Sequence, residues 1–406
     1  MTLAPRAAAV VFFAFAFAYF LSALLRAVTA TLAPVFSVEF GLTAGDLGLL
    51  AGAYFFGFAS LQLPLGRALD RFGPRRTLLV LLAVAVAGCL AFALSPNLLA
   101  MIGARLLIGA GVAAALMAPL TLYRRLFTPV AQLRANSWML MTGSLGMLAS
   151  TLPVQWLLPV LGWRGLFAVV AAMLALAMGL IAILVPRDAP PADRSGEAGV
   201  RYAEIVRHPL FASMAPLAFF LYGGMIAVQA LWAGPWLTRV AQWSAGEAAQ
   251  GLFFINLSML VAFGTWGLVM PRLSRRGLGA SQLMAWGVPL PLLLLGVNAM
   301  LGSAAGAAHW AAWCVACTFV SLSQPAVGAA FPAAQAGRAL SAFNLVIFSG
   351  VFLVQWGVGM LIDRLRAFGW SEVDAYRAAM ATLGLCCGAA YVWFLLRRPA
   401  ASHNPA

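Results

Sequence analysis

Gly66-Arg67-Ala68-Leu69-Asp70-Arg71-Phe72-Gly73-Pro74-Arg75-Arg76 is a knot of charge and glycine between two long apolar runs. A glycine opens it, an Asp-Arg pair follows, Gly73 turns the chain, and paired arginines close it. Read by itself, it is a positive loop that stops one apolar helix and starts the next. The runs on either side determine whether it is more than that.

Hydrophobic residues make up 63% of the 406-residue chain and charged residues 9%, whereas soluble domains hold roughly 45–50% and 25%. Apolar runs of about twenty residues recur, the length needed to cross the hydrocarbon core of a bilayer. They are continuous, without the alternation of a membrane barrel, so they predict helices. The net charge of +14 has no solvated basic domain to display it, which excludes a nucleic-acid partner. All five cysteines lie in apolar runs, and Cys314-x-x-Cys317 has no histidine or acid nearby. That pair reads as helix packing, and no metal or cofactor is expected.

Outward from the opening stretch, twelve spans are expected, near 8–34, 47–66, 77–96, 98–122, 135–160, 165–186, 209–237, 248–270, 280–302, 310–331, 339–362 and 378–396. Ser95-Pro96-Asn97 supplies the turn between the third and fourth. The first span is too long for a signal peptide and reads as a retained helix. Eighteen of the 25 arginines fall on one side of this arrangement and five on the other. The positive-inside rule makes the arginine-rich side, with both termini, cytoplasmic. Residues 187–208 form the one long polar segment, a linker whose second part is predicted to be a surface helix. It divides the chain into 1–186, a six-helix bundle, and 209–406, a second bundle with a short tail.

The two halves repeat one another. Thr43-Ala-Gly-Asp46 recurs as Ser244-Ala-Gly-Glu247, and at the same offset Gly66, Arg71 and Arg75 meet Gly267, Arg272 and Arg276. Arg134-Ala135-x-Ser137 with Gly146 recurs as Arg338-Ala339-x-Ser341 with Gly350. A duplicated six-helix unit is the build of a rocking transporter with its site between the halves. Pro271 stands where the first copy has Asp70.

The Gly66–Arg76 stretch resembles the signature loop between the second and third helices of the major facilitator superfamily, G-x-L-a-D-r-x-G-r-r. Ala68 replaces the usual leucine and Pro74 the first basic residue. Arg105-Leu-Leu-Ile-Gly109-x-Gly111 is similar to the R-x-x-q-G-x-G stretch of the fourth helix, with Ile108 for glutamine. The resemblance implies an all-α fold of twelve transmembrane helices in two pseudo-symmetric bundles and transport by alternating access. It implies a gating role for Gly66, Asp70, Arg71, Gly73, Arg75 and Arg76, with Asp70 helping to hold the cytoplasmic side shut. The fifth span has Gly143 and Gly146 but lacks the glycine-proline pattern of drug-proton antiporters, which argues against that subgroup.

Ionisable residues inside a membrane are costly and usually face a cavity. Here there are two, Arg26 and Arg105, each roughly 8 Å from the midplane at ~1.5 Å per residue. In the superfamily's architecture both helices line the central cavity, which implies that the two face one pocket; the alternatives are an Arg26 that snorkels to the outer interface and an Arg105 that serves packing or coupling. All eleven acidic residues lie in loops or at span ends. Two guanidinium groups without internal carboxylates fit an anionic ligand, since guanidinium grips a carboxylate by two parallel bonds. Tyr222, Gln229, Trp232, Asn256, Gln324 and Asn344 complete the candidate pocket, each equally able to bond between helices. Trp232-Ala-Gly-Pro235-Trp236 predicts a kink.

The sequence thus predicts a monomer in the inner membrane that moves a small organic anion. The alternatives are efflux of amphipathic drugs and a transporter-like sensor. An enzyme is excluded, because three histidines assemble no nucleophile-base pair or metal cluster.

Overall fold

The computed structural model describes residues 3–187 and 202–398, all helix and turn. Residues 188–201 of the expected linker lie outside the described residues. The elements before that gap are α1 (Pro5–Phe40), α2 (Ala44–Ser60), α3 (Gln62–Phe72), α4 (Pro74–Ala93), α5 (Leu98–Gly111), α6 (Met117–Leu126), α7 (Pro129–Ala149) and α8 (Leu152–Leu184). After it come α9 (Tyr202–Arg207), α10 (Pro209–Val240), α11 (Ala245–Arg275), α12 (Ala280–Ala304), α13 (Ala307–Ala329), α14 (Ala333–Ala367) and α15 (Glu372–Arg397). Among the described residues nine helices are long and apolar enough to cross a membrane, and the bent pair α2–α3 makes a tenth. The twelve expected spans fall on these helices together with α5–α6 and α7.

The opening stretch is less of a loop than the sequence suggests. The second span bends by 45° near Leu61 and stays helical through Phe72. The whole turn is Gly73, at φ +83°, a conformation that favours glycine. Pro74 then starts α4, where its missing N–H costs nothing. Two other expectations need correction. The fourth span is interrupted between Gly111 and Met117. The expected kink at Pro235 is absent as a break; the residues on both sides widen into π turns instead, at Val228–Trp232 and Trp236–Val240. Proline has no N–H for the regular helical bond, and the wider register takes up the mismatch. Between the fifth and sixth spans, α8 is two helices joined by a kink at Gly162, whose backbone is non-helical at φ +63°.

The repeated tetrapeptides fold alike. Thr43 and Asp46 close a capping box at the start of α2, and Ser244 and Glu247 close another at the start of α11. Each box satisfies backbone donors that a helix start leaves orphaned.

These helix starts lie on the face opposite the arginine-rich one, here called the far face. There the two halves are pressed together. Gly45, Gly48 and Gly52 of α2 sit on one side of the helix and receive α14: a Cβ on Gly48 would lie 2.3 Å from the carbonyl oxygen of Gln355. Gly359 of α14 returns the contact, as its Cβ would meet the carbonyl of Ala44 at 2.3 Å. Small residues allow such backbone approach between membrane helices. Gly234 of α10 is equally close to Ala30 of α1. A carboxylate locks this seam: Asp363 of α14 accepts hydrogen bonds from the backbone N–H groups of Ala44 (3.0 Å) and Gly45 (2.7 Å).

Toward the arginine-rich face the contact between the halves narrows to α3 against α14. Among the described residues, α6, Pro209–Leu217 of α10 and Ser323–Ala329 of α13 make no extended contact across the seam. The architecture is a cleft closed at the far face and, apart from α3 lying on α14, open at the other.

Candidate functional site

Where the seam ends and the cleft begins lies Arg26. It is about 14 residues, or ~21 Å, from the far-face end of α1, and Phe58 is equally far along α2. The guanidinium carbon lies 5.9 Å from the ring centres of both Phe58 and Phe348 of α14, within cation–π range. Those rings are 4.5 Å apart, and Phe55 lies nearly parallel to Phe348 at 6.2 Å. The phenols of Tyr54, Tyr19 and Tyr222 are within electrostatic reach of the guanidinium. Tyr54 donates its hydrogen bond to the carbonyl of Ser22. The side chain of Arg26 is partly exposed, yet its Nε is sealed and has no acceptor among the described residues. Helices from both halves thus converge on one cation with an unfilled donor.

Arg105 is placed otherwise. It is 1% exposed, donates from Nη1 to the carbonyl of Leu25 at 2.9 Å, and is walled in by the rings of Tyr54, Phe92 and Phe167. Its Nε also lacks an acceptor among the described residues. The expected pairing of two guanidinium groups in one pocket therefore does not occur: Arg105 ties α5 to α1 behind Tyr54, while Arg26 faces the cleft. Depth and the family resemblance suggested the pairing, and neither fixes how each side chain is turned about its helix.

Tyr222 belongs to the Arg26 cluster. The other polar candidates pair with one another. Gln229 donates to Asn256 (2.9 Å), clipping α10 to α11, and Asn256 donates to the carbonyl of Leu252. Gln324 donates to Asn344 (2.5 Å), clipping α13 to α14. Trp232 is fully buried against Tyr376 of α15, inside the core of the second half. No curated protein matches the sequence. The profile of the Major Facilitator Superfamily matches residues 15–355.

The chain belongs to this superfamily. Its fold is similar to that of a bacterial homologue of the human lysosomal transporter Spinster, solved inward-facing and unoccupied. The TM-score is 0.75 at 16% identity, over 97% of this chain and 98% of that one. A D-xylose–proton symporter aligns with a TM-score of 0.76 at 15% identity, over 96% and 98%. The POT family transporter PepTSo gives 0.76 at 15%, over 97% and 98%. At such identities the likeness is one of fold. This member of the major facilitator superfamily is a multi-pass membrane protein and a secondary transporter, not an enzyme.

In this superfamily member the signature stretch stands at the mouth of the open side. Asp70, Arg71 and Arg76 are exposed and Gly66 is partly so. Arg71 lies over the ring of Phe72. Gly73 is buried, and Thr77 donates to the carbonyl of Ala68 across the turn. Arg75 donates to the carbonyls of Ile181 and Ala182 at the end of α8, where cationic groups suit a helix C-terminus.

Sequence reasoning missed Tyr19, Tyr54, Phe58, Phe348 and Asp363. A signal existed for Tyr19, which stands seven residues before Arg26 and so on the same helix face. Tyr54 and Phe58 share a face of α2 by their spacing of four. Asp363 read only as a span-end acid, since its partners are backbone groups more than 300 positions away.

Proposed function

We propose that the protein moves a small organic anion across the inner membrane by alternating access, with Arg26 as the anchor of the anion. The arginine-rich face is cytoplasmic, so the cleft described above is the inward-open form. The observation that carries this reading is the buried, unpartnered Nε of Arg26 at the depth where the seam of α1, α2, α10 and α14 gives way to the cleft. Guanidinium binds carboxylate through two parallel donors, Nε and one Nη, and the Nε donor is left over. The rings of Phe58 and Phe348 hold the cation in the absence of an anion. An arriving carboxylate competes with them for it, which loosens the innermost layer of the far-face seam. That exchange links binding to opening without an intramembrane acid.

Gln229–Asn256 and Gln324–Asn344 serve as clips that keep α10, α11, α13 and α14 one rigid body during rocking. Residues 1–186 and 209–406 are the two bodies, joined by the linker, and one chain suffices for transport. Uptake into proteoliposomes, measured beside equilibrium binding of carboxylates, tests the reading. Arg26→Lys keeps the charge and loses the fork. Losing one charge-assisted bond of ~1.5–3 kcal/mol weakens binding about ten- to a hundred-fold, and Arg26→Gln is worse. Wild-type binding by Arg26→Lys removes Arg26 from the site.

A further inference from the structure

We infer, resting on the organic-anion reading above, that the substrate is a monovalent carboxylate carried on a flat aromatic body. The charge follows from counting. Only two side chains charged at neutral pH lie in the span interiors, and Arg105 is committed to the carbonyl of Leu25 behind a wall of rings. One positive charge, that of Arg26, is left facing the cleft. A monoanion is neutralised there. A dianion would bring a second negative charge to a depth where an unpaired ion is costly. Phenol donors reduce that cost but carry no charge to cancel it.

The body follows from what surrounds the guanidinium. A carboxylate gripped by Arg26 lies against the rings of Phe58 and Phe348, with Phe55 behind them. An aliphatic body gains only buried area from these rings. A flat aromatic one also gains the ring–ring geometry that pairs of aromatic groups prefer. A polyol would set hydroxyl groups against phenyl faces that accept no ordinary hydrogen bond. Tyr54 is occupied by Ser22, which leaves the hydroxyls of Tyr19 and Tyr222 to complete the contact with the carboxylate. Phe58 and Phe348 are thus specificity-determining residues, one from each half.

Calorimetric binding to the purified full chain at neutral pH tests this with six probes: benzoate, cyclohexanecarboxylate, acetate, phthalate, succinate and benzamide. Benzoate is expected to bind more tightly than cyclohexanecarboxylate by about two- to tenfold, the equivalent of one aromatic pair. Phthalate is expected at least about tenfold weaker than benzoate, with succinate and benzamide weaker still. Phe348→Leu and Phe58→Leu are expected to bring the ratio of benzoate to cyclohexanecarboxylate affinity toward one. If those variants do not fold, as judged by melting temperature, the same ratio in the unmodified chain still decides. Equal affinity for benzoate and cyclohexanecarboxylate overturns the aromatic body. Equal or tighter binding of succinate or phthalate that is lost in Arg26→Gln overturns the monovalent assignment and leaves the organic-anion reading standing. Absence of binding by every carboxylate, or binding that persists in Arg26→Gln, brings down the organic-anion reading and this one with it.

Discussion

Replacing Asp363 with asparagine should open the far face. The carboxylate of Asp363 accepts two hydrogen bonds, at 3.0 and 2.7 Å, from the first N–H groups of α2. Those donors have no partner within their own helix, and the helix dipole makes that end positive. A hydrogen bond to a charged group contributes ~1.5–3 kcal/mol, and a carboxylate at a helix N-terminus adds ~0.3–1 kcal/mol. Asparagine keeps one acceptor oxygen, loses the charge, and turns an N–H₂ toward the second donor. Because Asp363 is partly exposed, the lower part of the range applies, ~1–2 kcal/mol. That is about a five- to thirty-fold change in the ratio of far-face-closed to far-face-open molecules.

Spin labels at Val38 and Phe368, 87% and 72% exposed near the far-face ends of α1 and α14, report the opening as a second, longer distance in pulsed electron resonance. The long-distance population should grow in Asp363→Asn. Gly45→Ala should shift it the same way, because its Cβ would stand 2.7 Å from the Oδ2 of Asp363. Distance distributions that stay unchanged in both variants would refute the idea that this carboxylate holds the seam.

Three further outcomes follow from the same geometry. Asp70→Asn should favour the form already open at the arginine-rich face, raising labelling of cysteines placed along Pro209–Leu217 by a thiol reagent applied from that face, with substrate affinity less changed. Arg105→Lys should lower stability by ~1.5–3 kcal/mol, one charge-assisted bond, seen as a lower melting temperature. Its effect on anion affinity should stay below about threefold, half a kcal/mol or so; a larger loss would return Arg105 to the binding site. Gly48→Leu should abolish transport and leave the far face open, since even a Cβ there meets backbone at 2.3 Å; transport at the unmodified rate would show that the seam does not need to close this tightly.

The spans were legible because each must satisfy its own backbone within lipid, so length and apolarity suffice to find them. Their interruptions were less so. Gly73 announces a turn, but nothing local says that α3 stays helical up to Phe72. Pro235 announces a disturbance, but nothing local says that it is absorbed as π turns and not as a break. Arg26 stood out by its cost, and the structure leaves it at the meeting of both halves. Arg105 stood out for the same reason and proved to be turned inward, toward Leu25. Composition cannot separate these two arginines, since a guanidinium buried against rings and one facing a cleft carry the same residue name. The aromatic neighbours were hidden by abundance: with 27 phenylalanines in the chain, no single ring draws notice.

The reciprocal bonds of the capping boxes at Thr43–Asp46 and Ser244–Glu247 close within four residues and need no other helix, and only afterwards does Asp363 take the N–H groups of Ala44 and Gly45. A nascent chain can therefore complete these two turns as soon as they emerge, before the partner bundle exists. The two helices that begin with these boxes re-enter the bilayer from the far face with their own starting mark, which fixes where each begins. Register along the seam, where glycines must face carbonyls across two helices, is then inherited from a local event in biogenesis instead of being searched for after all the helices are in place.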